Sequence, residues 1–275
     1  MKALRRGLRP GKVAFRKSKR SIYERRKSFE EEWGCVFNPS AEDILADPDP
    51  KIIVVHVGKC AGDTVINALS EHVGEAYNLY QLHCFDSDER LKACLALDPP
   101  SNAIYVVCTR EPVSRFVSSF NWDKHFLYGR GKLDGSKFAA YYEEFATIEA
   151  LVQGLRSPDL DLKQRATEFR HFSRMLMGQA WYTPMAQVLA LPASNTYLCD
   201  VATLREDIDA VIASISDTGM RPDYQLHNNK TDCREGYPEG FFSTVLSDGA
   251  RQILREELSE DYAVLDRLRA LFGRG

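Results

Sequence analysis

The 275-residue sequence contains no C-x-x-C pair, no internal repeat or low-complexity tract, and no apolar run near the ~20 residues needed to cross a bilayer. The seven cysteines (Cys35, Cys60, Cys84, Cys94, Cys108, Cys199, Cys233) are odd in number, and several sit inside apolar runs. They read as thiols that pack like small hydrophobes in a reducing compartment. The longest apolar stretches, such as residues 52–57, are short, and the charged N-terminal region has no apolar segment behind it. Neither a signal peptide nor a transmembrane anchor is expected, and the expected location is cytoplasmic. Overall charge bias is also lacking: 36 Lys and Arg stand against 39 Asp and Glu, for a net charge of −3. That balance excludes a nucleic-acid coat and predicts no nucleic-acid partner. What is present is enough apolar material for a substantial core, at 44% hydrophobic and 11% aromatic, which excludes a disordered tail protein.

Charge is unevenly spread. Residues 1–27 hold twelve Lys and Arg against one acid, Glu24, leaving 24 bases and 38 acids in the remainder. Residues 1–47 therefore read as a basic N-terminal arm and linker, solvated or ordered against an anionic surface or substrate. Pro48 and Pro50 punctuate the chain just before its strongest strand signal, so the catalytic domain is expected over 48–275.

Residues 51–57 (KIIVVHV) form a nearly continuous β-branched run, as expected of a strand buried on both faces of a parallel sheet. A glycine-containing turn leads to a helix over 63–72, with Val65, Ile66, Leu69 and Val73 at helical spacing. A strand over 77–84, a helix over 87–96, a strand over 103–108 and a helix over 112–122 with proline in its first turn follow. Residues 137–191 read as mostly helical and 196–199 as a short strand. A helix over 204–214, a polar loop over 223–238 and one long helix over 249–272 complete the chain. The βαβαβ pattern predicts an α/β fold: a P-loop-like three-layer domain, with a central parallel sheet flanked by helices and ligands at the strands' carboxyl ends.

The turn His56-Val-Gly-Lys-Cys-Ala-Gly-Asp-Thr-Val65 joins a buried strand to a helix through small residues and carries one lysine and one hydroxyl at the helix start. Such a turn aims backbone N–H groups at an anion, with the helix N-terminus and Lys59 adding positive potential. The nucleoside-triphosphate pattern G-x-x-x-x-G-K-[ST] is absent, because Lys59 precedes Ala61-Gly62 and Ile53 stands five residues before Gly58. The strand over 103–108 is followed by Thr109-Arg110, with no aspartate to hold magnesium, so no metal is expected. The second constellation is Arg110-Glu-Pro-Val-Ser-Arg115-Phe-Val-Ser118-Ser119-Phe120. Arg110 at the strand exit and Ser118 on the following helix can approach one anion, through a planar guanidinium fork and a neutral donor.

Together the two segments resemble the cofactor signatures of sulfotransferases that use 3′-phosphoadenosine 5′-phosphosulfate (PAPS), in particular the carbohydrate branch that includes heparan and chondroitin O-sulfotransferases. In that family the first loop reads roughly P-K-[TS]-G-[GS]-[TS]-[ST] and the second R-[DE]-P-x-x-R-x-x-S-x-[YF]. The second matches throughout, whereas the first keeps Lys59, Gly62 and Thr64 but departs at Gly58, for the usual proline, at Cys60 and Ala61, and at Asp63, for a usual hydroxyl residue. The matching motifs span residues 51–120, with weaker likeness in 226–231 and 246–266. The resemblance implies that Gly58, Lys59, Cys60, Ala61, Gly62, Asp63, Thr64 and Val65 bind the 5′-phosphosulfate. It further implies that Arg110 and Ser118 bind the 3′-phosphate, and that Asn229, Lys230 and Thr231 close over the nucleotide.

The implied reaction is in-line transfer of the sulfuryl group from PAPS to a hydroxyl of a carbohydrate or small-molecule acceptor, leaving adenosine 3′,5′-bisphosphate. Such transfer needs a base for the hydroxyl proton and a cation at the leaving oxygen. Lys59 takes the second role. His83, at the end of the strand over 77–84 and on the same carboxyl edge, is the expected base. His56 reads as a packed residue, while His125 and His171 could touch substrate. Trp122, Phe126, Tyr128, Tyr141, Tyr142, Trp181 and Tyr182 fall in segments expected on the acceptor side, most of them core. Two alternatives stay open: a nucleotide-binding phosphotransferase, and a sulfotransferase-like protein that has lost catalysis.

Overall fold

Lys51–Val55 (β2) is buried at every position, and Ala103–Thr109 (β4) at all but one, as strands covered on both faces must be. In the computed structural model, which describes residues 34–73, 76–83, 99–172, 177–215, 224 and 236–273, these two strands pair in parallel at the centre of a five-stranded sheet. Asn78–Leu82 (β3) lies on the other side of β2, with Cys35–Phe37 (β1) at that edge and Thr196–Asp200 (β5) at the opposite one. The order is β1-β3-β2-β4-β5 and every pairing is parallel. With helices flanking the sheet this is the three-layer α/β arrangement that the sequence pattern predicts. The expected helix over 87–96, residues 1–27 of the basic arm, most of the loop over 223–238, and Asn229, Lys230 and Thr231 lie outside the described residues.

The sheet begins earlier than the expected domain start. β1 pairs with β3, and a short helix, Ala41–Ala46 (α1), follows it under a capping box in which Ser40 and Asp43 satisfy each other's backbone amides. Asp47 then anchors the entry to β2. Its carboxylate accepts from Tyr80 Oη at 2.7 Å and Asn78 Nδ2 at 3.0 Å, and its carbonyl accepts from the buried Lys51 Nζ at 2.5 Å. Residues 35–47 are thus part of the folded unit.

Gly62–Val73 (α2) and Leu204–Ile215 (α9) pack on each other, α2 lying on β2 and β3 and α9 on β5. Pro112–Asp123 (α3) runs without interruption into a six-residue π turn, Lys124–Gly129. Lys137–Glu144 (α4), Ile148–Leu155 (α5) and Leu160–Phe172 (α6) build a second apolar core beside it, centred on Phe116, Phe120, Phe145, Leu151 and Phe169. Two short helices, Gln179–Tyr182 (α7) and Met185–Val188 (α8), lead to β5. The expected single terminal helix is two: Asp248–Glu257 (α10) and Ser259–Phe272 (α11), broken at Leu258 with φ −107° and ψ 20°. The break lets α10 pack on α3 and α5 while α11 packs on β5, α7 and α8. Among the described residues no helix is long and apolar enough to cross a membrane.

The connection from β2 turns towards β3, whereas β4 lies on β2's other side. The carboxyl ends of β2 and β4 therefore flank a topological switch point, where an open α/β sheet presents its ligand crevice.

Candidate functional site

The turn after β2 is held in an unusual backbone shape. Lys59 (φ 71°) and Ala61 (φ 59°) both occupy the left-handed region, at roughly 1–3 kcal/mol of strain each for non-glycine residues. Within the turn the amide of Cys60 donates to Val57 O at 3.1 Å, and those of Thr64 and Val65 both donate to Ala61 O at 3.0 Å. The amides of Ala61 and Gly62 donate to nothing among the described residues, which leaves the start of α2 open to an anion. A side chain at Gly62 meets an obstacle there, because a Cβ would lie 2.2 Å from Cγ and Cδ2 of the His56 ring. At Gly58 a Cβ would lie 2.7 Å from the Tyr182 hydroxyl. Cys60 and Val65 turn their side chains into the core, and burial pushes the Cys60 thiol up to about 12. With their amides already engaged, these two expected contact residues shape the turn instead of facing a ligand.

The carbonyl side of the same turn is tied to the second motif. Arg110 donates through Nη1 to Lys59 O at 3.2 Å and through Nε to Ser114 Oγ at 3.0 Å. Its burial, with the Arg115 charge nearby, holds its pKa below the usual arginine value. Arg115 is buried and donates to Gly58 O at 3.2 Å, to Ser119 Oγ at 3.2 Å and to Met177 O. The two guanidinium groups hold the carbonyls of Gly58 and Lys59. The helix that carries Arg115 is itself capped by Glu111, whose carboxylate accepts from the amides of Val113 at 3.2 Å and Ser114 at 2.6 Å and from the Tyr262 hydroxyl.

A cleft of about 300 Å³ runs along α3, and Lys59, Arg110, Ser118, Trp122, His125 and Arg251 all line it. Lys59 Nζ rests 4.3 Å from the centre of the Trp122 ring. The opposite wall is the segment around Phe241–Ser243. Asn121 fixes it by donating to Ser243 O at 2.7 Å and accepting from Ser243 N at 2.9 Å, and buried Lys124 donates to Phe241 O at 2.7 Å and Ala146 O at 2.6 Å. Burial pushes the Lys124 ammonium down to about 8.

His83 does not line this cleft. It sits in a neighbouring cluster at the ends of β2 and β3, stacked on His56 with ring centroids 4.2 Å apart and planes 17° apart. Asn38, at φ 48°, grips the His83 backbone from both sides, accepting its N–H at 2.6 Å and donating to its carbonyl at 2.7 Å. Asp63 Oδ1 lies 3.5 Å from His56 Nδ1, which also meets Gln81 Nε2. The Tyr182 ring lies 6.3 Å from His83 and nearly parallel, linking this cluster to Gly58.

Of the expected site residues, Lys59, Arg110 and Ser118 thus share one cleft, while Asp63 and His83 meet at its neighbour through His56. His171 lies on an exposed stretch of α6, its Nδ1 at 2.7 Å from Thr167 O, and takes no part in either cluster. Arg115, marked in the sequence only by its place in the R-E-P-x-x-R pattern, holds the Gly58 carbonyl, and His56, expected as simple packing, stacks on His83. No protein-family profile matches the chain, and neither the curated proteins nor the solved structures contain a significant match.

Proposed function

We propose that the protein is a sulfotransferase that moves the sulfuryl group of PAPS to an acceptor hydroxyl on a carbohydrate or small molecule. One observation carries the reading: the two motifs that resemble the family's cofactor signatures flank one switch point and share one cleft, in which Lys59, Arg110 and Ser118 meet. The donor set suits the ligand. Open amides at Ala61 and Gly62 with the Lys59 ammonium suit a 5′-phosphosulfate, and the Arg110 fork with the Ser118 hydroxyl suits a 3′-phosphate.

In this reading Lys59 stabilises the charge that grows on the bridging oxygen as the nucleotide departs. His83 accepts the acceptor's proton, its backbone fixed by Asn38 and its ring by the stack on His56. Asp63 stands where the family has a hydroxyl residue, and its carboxylate turns to His56.

Thermal unfolding tests the reading. A ligand at a hundred times its Kd stabilises the native state by about 2.7 kcal/mol, or roughly 5–10 °C for a chain of this size. Adenosine 3′,5′-bisphosphate should give such a shift and adenosine 5′-phosphate a smaller one. A larger shift with ATP and magnesium would favour a phosphotransferase.

A further inference from the structure

His125 is the least explained polar group in the cleft. It is 1% exposed, it lines the cleft that Lys59 also lines, and neither ring nitrogen has a hydrogen-bond partner among the described residues. Its neighbours are aromatic: Trp122 at 5.7 Å between centroids, Tyr237 at 5.5 Å edge-on and Phe242 at 6.5 Å. Buried polar groups in folded proteins are nearly always satisfied, so an imidazole left with both nitrogens unmet lowers stability for no structural return. The backbone there is also irregular, since His125 is the second residue of the π turn that continues α3, and single π turns recur at functional positions. Burial, with the charges of Arg130 and Lys59 nearby, pushes its pKa down to about 4. At neutral pH the ring therefore offers one N–H donor and one acceptor and no charge.

We propose that His125 is a ligand-contacting residue whose imidazole N–H donates to an anionic oxygen held beside Lys59, at the 5′ end of the bound nucleotide. This assignment rests on the functional reading above. It gives His125 a place beyond Ser118, which is in the middle of α3, and beyond Arg110, which precedes the helix. The 5′ group would then meet the open amides of the first turn, one cation and one neutral donor.

The test is calorimetric titration of the full chain with adenosine 3′,5′-bisphosphate and with adenosine 5′-phosphate, for wild type, His125→Phe and His125→Leu. Both substitutions keep an apolar side chain in the aromatic box. If His125 contacts the 5′ group, both variants unfold no earlier than wild type without ligand yet bind both nucleotides about tenfold more weakly, by an equal factor. In wild type carrying nitrogen-15 histidine, the His125 ring resonances should also move on saturation with the bisphosphate. Wild-type affinity in a folded variant, or resonances that stay in place, would overturn the proposal while leaving the nucleotide reading intact. Wild type that binds neither nucleotide would overturn that reading and this one with it.

Discussion

After β2 the chain enters α2 with two residues in the left-handed region and the amides of Ala61 and Gly62 unshared. After β4 it enters α3 through Arg110-Glu111-Pro112, and there the Glu111 carboxylate takes the amides of Val113 and Ser114. Both are strand-to-helix turns on the same edge of the sheet, but the first leaves backbone donors open and the second closes them with a negative charge. An anion at the first turn can use the helix N-terminus directly, with Lys59 as its cation. An anion near the second must rely on side chains, which is where Arg110 and Ser118 stand. The second turn also builds the first, because Arg110 and Arg115 hold the carbonyls of Lys59 and Gly58.

The largest effect is expected where the first turn has no slack. Gly62→Ala drives a Cβ into the His56 ring and should destabilise the protein by about 1–3 kcal/mol while abolishing nucleotide binding. Gly249→Ala, on a helix start where the nearest atom to a new Cβ is Ser247 Oγ at 4.0 Å, serves as the harmless control in the same denaturant series. Similar losses for the two variants would mean that the turn is not the tight element described.

The dependence of the first turn on the second is tested by Arg115→Met. Loss of its charged donors to the Gly58 and Met177 carbonyls should cost about 1.5–3 kcal/mol of stability and weaken nucleotide binding, although Arg115 does not line the cleft. A destabilised variant with wild-type affinity would separate the two turns.

The smallest effect concerns the closed cap. Glu111→Gln removes a negative charge at the start of α3 and should lower stability by about 0.5–1 kcal/mol through a weaker cap. The same change should raise affinity for adenosine 3′,5′-bisphosphate a few-fold at low salt, a gain that fades as salt screens the charge. An affinity change of the opposite sign would show that the carboxylate supports the ligand.

The comparison also explains what could be read in the sequence. β2 and β4 announce themselves through β-branched runs, and the Lys59 and Arg110 motifs follow directly from those strands. β1 is three residues long and gives no periodicity, so Cys35–Phe37 reads as linker, although its pairing with β3 extends the sheet. The break at Leu258 has no proline or glycine to mark it. It arises because α10 and α11 answer to different partners. His56 in a β-branched run reads as core, and it is buried. Its stack on His83 comes from the parallel register, in which Val55 faces Leu82 and the next residues on each strand become neighbours. That juxtaposition is a property of the sheet and is invisible in either segment alone.

The central claim is that one cleft holds two anion subsites of different construction. It is tested most directly by titrating wild type and Arg110→Ala with adenosine 3′,5′-bisphosphate and with adenosine 5′-phosphate. The account predicts that Arg110→Ala loses about 1.5–3 kcal/mol more affinity for the bisphosphate than for the 5′-phosphate, because the charged hydrogen bond to the 3′ group is lost for the bisphosphate alone, whereas the lost contact to Lys59 O weakens both. Equal losses for the two ligands would contradict it.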